Sequence, residues 1–191
     1  MVLATVDERG YPSARVVLCK SIDTSQGAIL FYTNYRSRKG RELTINPRAA
    51  ALFHWDHRHR QVRVEGRVEP LSAAENDDYF RTRPWQSRLG AWASEQSQPV
   101  ASRQALADSV AATARRLGIP YEGPGAPEPT DIAVEVPRPP HWGGYRLYAE
   151  AVELWVEGEF RIHDRARWTR PLPDGRGAAP DAHWTVTRLQ P

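Results

Sequence analysis

Ala49-Ala-Ala-Leu-Phe-His-Trp55, Asp56-His-Arg-His-Arg60 and Gln61-Val-Arg-Val-Glu-Gly-Arg-Val-Glu69 read as one strand, a polar turn and a second strand. Working outward, the same reading makes strands of Val2–Val6 and Ser13–Ser21, joined by the turn Asp7-Glu-Arg-Gly10, and of Ala28–Thr33. Ser37 is placed to cap a short helix that runs to about Asn46, with Pro47 beyond it. Downstream, Ser72-Ala-Ala-Glu75 is a capping-box pattern opening a helix through Tyr79. Ser102 begins another helix that ends near Gly118. Three more strands are expected at about Gly144–Val156, Phe160–Trp168 and His183–Leu189, the last two joined by the Gly- and Pro-rich loop Pro171–Asp181. Strands that outnumber helices and connect mostly through short turns imply a mainly β fold, an antiparallel barrel with flanking helices.

At 191 residues, the chain suits a single domain, 1–191. Residues 119–140 carry seven of the sixteen prolines and read as an irregular connector rather than a domain. No run of about 18 apolar residues is present, so no membrane-spanning helix is expected. The start Met-Val-Leu-Ala-Thr-Val-Asp lacks the basic and apolar regions of a signal peptide. The one cysteine, Cys19, excludes an internal disulfide and suits a reducing, cytoplasmic setting. The formal net charge is +3. With 23 acidic residues interspersed, that excess argues only weakly for nucleic acid, which is not expected as a partner.

Five clusters carry chemistry. In Tyr79-Phe-Arg-Thr-Arg-Pro-Trp-Gln-Ser87, the four-residue spacing of Tyr79, Arg83 and Ser87 stacks a phenol, a guanidinium and a hydroxyl, a good grip for a phosphate. Pro84 interrupts that face, so the helix is expected to end near Arg83 and a new turn to start with Pro84 in its first position. Arg15-Val-Val-Leu-Cys-Lys20 puts two cations on an apolar strand; either both face solvent at an edge, or the strand twists or bulges to bring them to one site. In Phe31-Tyr-Thr-Asn-Tyr-Arg-Ser-Arg-Lys39 a strand runs into a helix start bearing Arg36, Arg38 and Lys39. The helix dipole disfavours cations there unless an anion is bound. Gln61, in Arg60-Gln-Val-Arg-Val-Glu-Gly66, offers an amide to a planar heterocycle or is an ordinary strand residue. Along a regular strand, Arg161, His163 and Arg165 share one face and repel unless an anion or π-system lies among them. Metal-ligand patterns such as CxxC and HExxH are absent, as are the serine-hydrolase elbow, the Walker loop and GxGxxG, so no metal is expected.

Taken together, these residues resemble the pyridoxamine 5′-phosphate oxidase family, with Phe31–Lys39, Tyr79–Ser97 and Trp142–Arg165 the segments that match best. The resemblance implies an FMN-binding split barrel and a homodimer with its active sites at the subunit interface. By position it implies FMN contacts from Arg15, Val16, Val17, Leu18, Cys19 and Lys20, from Tyr32, Thr33, Arg38 and Lys39, and from Gln61, Gln96, Ser97, Trp155 and Arg165. Lys20, Tyr79, Arg83 and Ser87 would hold the substrate phosphate, and Arg161 and His163 would stand over the reacting ring as the catalytic pair. The implied reaction, part of vitamin B6 metabolism, oxidises pyridoxamine 5′-phosphate and pyridoxine 5′-phosphate to pyridoxal 5′-phosphate. Hydride leaves C4′ for flavin N5, O2 is reduced to H2O2, and the amine substrate releases ammonia by imine hydrolysis. Family members carry a segment ahead of the first barrel strand, and this sequence begins at that strand; its Pro-rich connector is also longer than usual. Two alternatives share the barrel: a flavin oxidase of another ring, of the phenazine-biosynthesis type, and a non-catalytic binder of FMN or pyridoxal phosphate.

Overall fold

The computed structural model describes residues 1–121, 123, 135–173 and 183–191. Among these are nine strands and four α-helices. In chain order they are β1 (Val2–Val6), β2 (Pro12–Val16), β3 (Ser21–Asp23), β4 (Ala28–Asn34), α1 (Arg38–Ile45), β5 (Arg48–Trp55) and β6 (Arg60–Pro70). Then come α2 (Ala73–Arg81), α3 (Trp85–Ala93), α4 (Arg103–Arg116), β7 (Trp142–Val156), β8 (Asp164–Thr169) and β9 (Thr185–Arg188). The Pro-rich connector and the loop Pro171–Asp181 lie largely outside the described residues.

The nine strands form one sheet in the order β2-β1-β5-β6-β7-β4-β3, with β8 on β7 and β9 on β8. The expected pairing of β5 with β6 is antiparallel, from Arg48↔Arg67 to Trp55↔Arg60. Fifteen residues make β7 long enough to serve several partners, β6 through Arg60↔Val156 and β8 through Val156↔Asp164. A β-bulge at Glu65/Gly66 shifts the β6–β7 register, and a Cβ at Gly66 would overlap the Tyr148 carbonyl. The mainly antiparallel β fold is as expected, but the sheet does not close. The main path ends in two short strands, five residues in β2 and three in β3, and the branch through β8 ends at β9.

Two compact units emerge. The first comprises Met1–Tyr32, Lys39–Pro70 and Gly144–Pro191, and the second Thr33–Arg38 with Leu71–Gly143. The first buries Leu3, Phe31, Leu43, Ala51, Val64, Val68 and Leu147, with Phe31 stacked on Tyr145 at 5.6 Å between ring centroids. The second is built on Trp85, Leu89, Ala114, Ile119 and Val136. Its helices have clear start signals. Ser72 and Glu75 form the predicted reciprocal capping box, and Ser102 accepts the Ala105 N–H at 3.0 Å. Gly118, at φ +66°, ends α4, where Ile119 donates back to Ala114 at 2.9 Å in a Schellman closure.

Three element boundaries differ from expectation. Ser13–Ser21 is not one strand: β2 ends at Val16, and Lys20 bonds through its backbone N–H to Leu30 ahead of β3. Arg15 and Lys20 therefore never share a regular strand. Helix α2 ends at Arg81, leaving Arg83 between helices, and Pro84 is the N-cap of α3 rather than its first residue. Nor does Phe160–Trp168 form one strand. A 3-10 turn covers Glu159–Arg161, with Phe160 at φ 54° and Arg161 at φ 66°, and β8 begins only at Asp164. Left-handed backbone at two successive non-glycine residues breaks the alternation that would have aligned Arg161, His163 and Arg165.

Candidate functional site

In the first unit, Arg15 is bonded to a buried acid that sequence reasoning did not single out, Glu42 on α1, three residues after Lys39. Arg15 Nη1 donates to the Leu3 carbonyl at 3.2 Å and to Thr5 Oγ1 at 2.5 Å, while Nη2 donates to Ser13 Oγ and to Glu42 at 3.2 Å. Lys39 is 8% exposed. Burial, then the neighbouring Arg15 charge, pulls its ammonium pKa down to about 8, and Glu42 works in the opposite direction. A buried ammonium near a fixed guanidinium, with one carboxylate against two cations, leaves a net positive charge that suits a phosphate.

Sheet pairing brings a second set together. Gln61 is opposite Trp155, and Trp155 is opposite Arg165, so the three form a row on one face of β6, β7 and β8. Arg165 is held in place by Glu153, to which Nε and Nη2 donate at 3.0 and 2.8 Å, and by the Gln190 carbonyl at 2.9 Å. Glu153 also pairs with Arg63 at 3.3 Å. Beside it, Glu65 would be raised by burial, but the Arg167 hydrogen bond and charge and the nearby Arg63 bring its carboxyl below the ordinary range. An aromatic plane flanked by an amide and a clamped guanidinium can receive a flat, polar-edged ring.

His163 lies against Trp155, with ring centroids 4.7 Å apart. Its Nδ1 accepts the Gly158 N–H at 3.2 Å, so a neutral ring carries its proton on Nε2. Gly158 is required here because a Cβ would overlap the Ile162 carbonyl. Arg161 is exposed on the strained turn. Val16, Leu18 and Lys20 are exposed, while Val17, Tyr32 and Cys19 are half-buried; burial raises the Cys19 thiol pKa, which leaves it unactivated.

In the second unit, Tyr79 stacks on Trp142, with centroids 6.2 Å apart and planes 8° from parallel. The Arg83 guanidinium lies 4.6 Å from the centre of the same indole and 5.4 Å from the Phe80 ring. Burial lowers its proton affinity, the Tyr79 side chain raises it and Arg88 lowers it. Arg83 Nη1 is buried with no hydrogen-bond partner among the described residues. Nearby support comes from Asn76, which donates to the Tyr35 hydroxyl and the Leu71 carbonyl, each at 3.2 Å. A Cβ at Gly143 would collide with the Tyr35 hydroxyl. Ser87 lies in the first turn of α3 and is exposed.

Also in this unit, Thr33 donates to Gln96 at 3.1 Å and Asn34 to the Ser94 carbonyl at 3.3 Å. Gln96 lines a cleft of about 510 Å³ with Asn34, Arg36, Trp92 and His141. Ser97 follows at φ 73°, and Arg38 is exposed at the start of α1. Sequence reasoning missed Trp142, Glu42 and Glu153. Their roles come from contacts remote in sequence, 37 residues apart for Thr5 and Glu42, and no local pattern announces them.

Residues 1–115 match the family model for pyridoxamine 5′-phosphate oxidase, and residues 142–191 match the pyridoxine 5′-phosphate oxidase C-terminal dimerisation region. A pyridoxine/pyridoxamine 5′-phosphate oxidase of Burkholderia ambifaria is 48% identical over 191 residues, covering 100% of this chain and 78% of that protein. The enzyme of the same name from Bordetella petrii is 49% identical, with 100% and 79% covered. Among solved structures, PhzG from Burkholderia lata, in complex with tetrahydrophenazine-1-carboxylic acid, is similar at a TM-score of 0.78 and 32% identity, covering 100% of this chain and 81% of that one. A pyridoxamine 5′-phosphate oxidase-related, FMN-binding protein of Nostoc punctiforme shares the fold at a TM-score of 0.67 and 17% identity, with 100% and 86% covered.

Proposed function

The chain belongs to the pyridoxamine 5′-phosphate oxidase family, and on that premise we propose that it oxidises pyridoxamine 5′-phosphate and pyridoxine 5′-phosphate to pyridoxal 5′-phosphate, with FMN as cofactor and O2 reduced to H2O2. The observation that carries this reading is Arg83. A half-buried guanidinium, laid on the Trp142 indole beside Tyr79, keeps a buried Nη1 without a hydrogen-bond partner among the described residues. An anionic oxygen would satisfy that donor, and a phosphate would also engage Tyr79 and Ser87.

FMN fits the other clusters. In the first unit, Arg15, the segment from Val16 through Cys19 to Lys20, Tyr32, Lys39, Gln61, Trp155 and Arg165 would hold it. Two observations support the fit: the neighbouring cations Arg15 and Lys39, offset by the single carboxylate of Glu42, and the flat row Gln61–Trp155–Arg165. When bound, FMN supplies the hydride acceptor. The chain's own residues bind and orient. Arg83, Tyr79 and Ser87 would fix the phosphate end of the substrate, so that its reacting arm is held in place. His163, its Nδ1 engaged by Gly158, presents Nε2–H to the substrate's polar groups, and Arg161 presents a permanent positive charge. A homodimer, consistent with the match of residues 142–191 to a dimerisation region, would carry two such sites.

The test is turnover by the FMN-loaded protein. Pyridoxamine 5′-phosphate should give aldehyde and peroxide, and absence of both, with pyridoxine 5′-phosphate also tried, rejects the oxidase. A second reading, a flavin oxidase of a reduced phenazine-type ring, is favoured by the likeness to PhzG. Faster turnover of such a ring than of either phosphorylated substrate would establish it instead.

A further inference from the structure

We propose that Glu42 is the positioning residue of the cationic cradle for the flavin phosphate, orienting Arg15 beside Lys39 although it is itself an acid. The inference rests on the flavin reading above. Glu42 is 3% exposed and stands three residues after Lys39, on the same side of α1. Its carboxylate receives Ser13 Oγ at 2.9 and 2.7 Å on its two oxygens, Thr5 Oγ1, and Arg15 Nη2 at 3.2 Å. The two hydroxyls also accept from Arg15, Thr5 Oγ1 from Nη1 and Ser13 Oγ from Nη2. Arg15 thus reaches Glu42 by one direct bond and two hydroxyl bridges, and both its terminal nitrogens are committed to protein acceptors. Such a guanidinium is a fixed charge: it costs no ordering when a ligand arrives, and it stays put beside Lys39.

The sign of the charge makes the proposal sharp. By Coulomb's law alone, removing a carboxylate next to a phosphate site strengthens phosphate binding. If Glu42 instead holds the cradle, its removal frees Arg15 from its acceptor and leaves Lys39 facing an uncompensated neighbouring cation. Phosphate binding then weakens.

The experiment titrates the apoprotein and its Glu42→Gln, Glu42→Asp and Ser13→Ala variants with FMN and with riboflavin, following quenching of flavin fluorescence. Riboflavin lacks the phosphate, so the ratio of the two dissociation constants isolates the phosphate's share. Wild-type protein should prefer FMN strongly. Glu42→Gln should cut that preference by roughly tenfold or more, with riboflavin affinity nearly unchanged. Glu42→Asp should recover part of it, and Ser13→Ala, which keeps every charge, should lose about threefold. An unchanged or increased preference in Glu42→Gln overturns the proposal, as does equal weakening of both flavins, which marks a purely structural role. If Glu42→Gln does not fold, Ser13→Ala decides: no loss of preference there overturns it. Failure of the wild-type apoprotein to bind FMN rejects the flavin reading itself, and that result is seen before any variant is made.

Discussion

Arg83 and Lys39 are both cations drawn partly out of water, and they respond to that in different ways. Arg83 stays charged, and its cost is a buried Nη1 lacking a bond among the described residues. Substituting Arg83→Ala should raise the KM for pyridoxamine 5′-phosphate on the order of 30-fold or more, while leaving that for unphosphorylated pyridoxamine within about twofold. Steady-state kinetics on both substrates checks this, and equal effects would remove Arg83 from the phosphate site. Lys39 responds by giving up its proton more easily, at about 8 in the folded chain against an ordinary 10.5. Between those values the unfolded chain binds more protons than the folded one, so this residue makes the apoprotein more stable as pH rises from about 8 toward 10.5, and below 8 its cost is constant. The Tm difference between wild type and Lys39→Met should therefore shift in favour of wild type between pH 7.5 and 10. FMN affinity should move the other way, weakening above about pH 8 as the neighbour of Arg15 and Glu42 loses its charge. At this scale the sequence exposed the cations, because Arg15, Lys39 and Arg83 stand in recognisable clusters. It hid Glu42 and Trp142, whose burial and partners depend on strands and helices far away in the chain.

The element that departs most from its pattern is the link from β7 to β8. Arg161-Ile-His-Asp-Arg165 alternates like a strand, and that periodicity predicts a shared face. Instead the chain turns tightly after Gly158, and Phe160 and Arg161 are held left-handed. The information that decides this is a close approach at Gly158, where only a missing Cβ lets the backbone pass the Ile162 carbonyl and donate to His163. A glycine in the sequence marks such a place without saying which way the chain turns. Two successive left-handed residues cost about 1 kcal/mol or more each, and they coincide with the candidate catalytic pair. Gly158→Ala should force the turn open, release His163 Nδ1 and lower kcat by roughly tenfold or more. Because the turn is exposed, Tm should change little. A variant with unchanged kcat would show that the His163 orientation does not depend on this turn. By contrast, the helix starts at Ser72 and Ser102 and the β5–β6 pair were legible, because each is fixed by neighbours in the chain.

For the whole molecule, strand succession made an antiparallel β architecture readable, and what it left out was where the sheet ends. One row of partners crosses six strands: Leu3, Ala51, Val64, Val152, Trp168 and Val186. It begins fully buried, with Leu3 and Ala51 at 0%, and finishes with Val186 at 58% exposed. Leu154, one row along, is 42% exposed. The core face of the first unit thus continues outward over β7, β8 and β9, elements that all lie within the matched dimerisation region. An apolar strip continuous with a core marks a surface for association, and a second copy of the same chain would cover it symmetrically. The protein should therefore have a solution mass of twice 21.6 kDa. Val186→Asp and Leu154→Asp place a charge on the exposed part of that strip and should each shift the mass toward 21.6 kDa by light scattering, while circular dichroism stays that of a β-rich chain. A dimer untouched by both substitutions would place the contact on another face, and the outward run of apolar side chains would need a different cover.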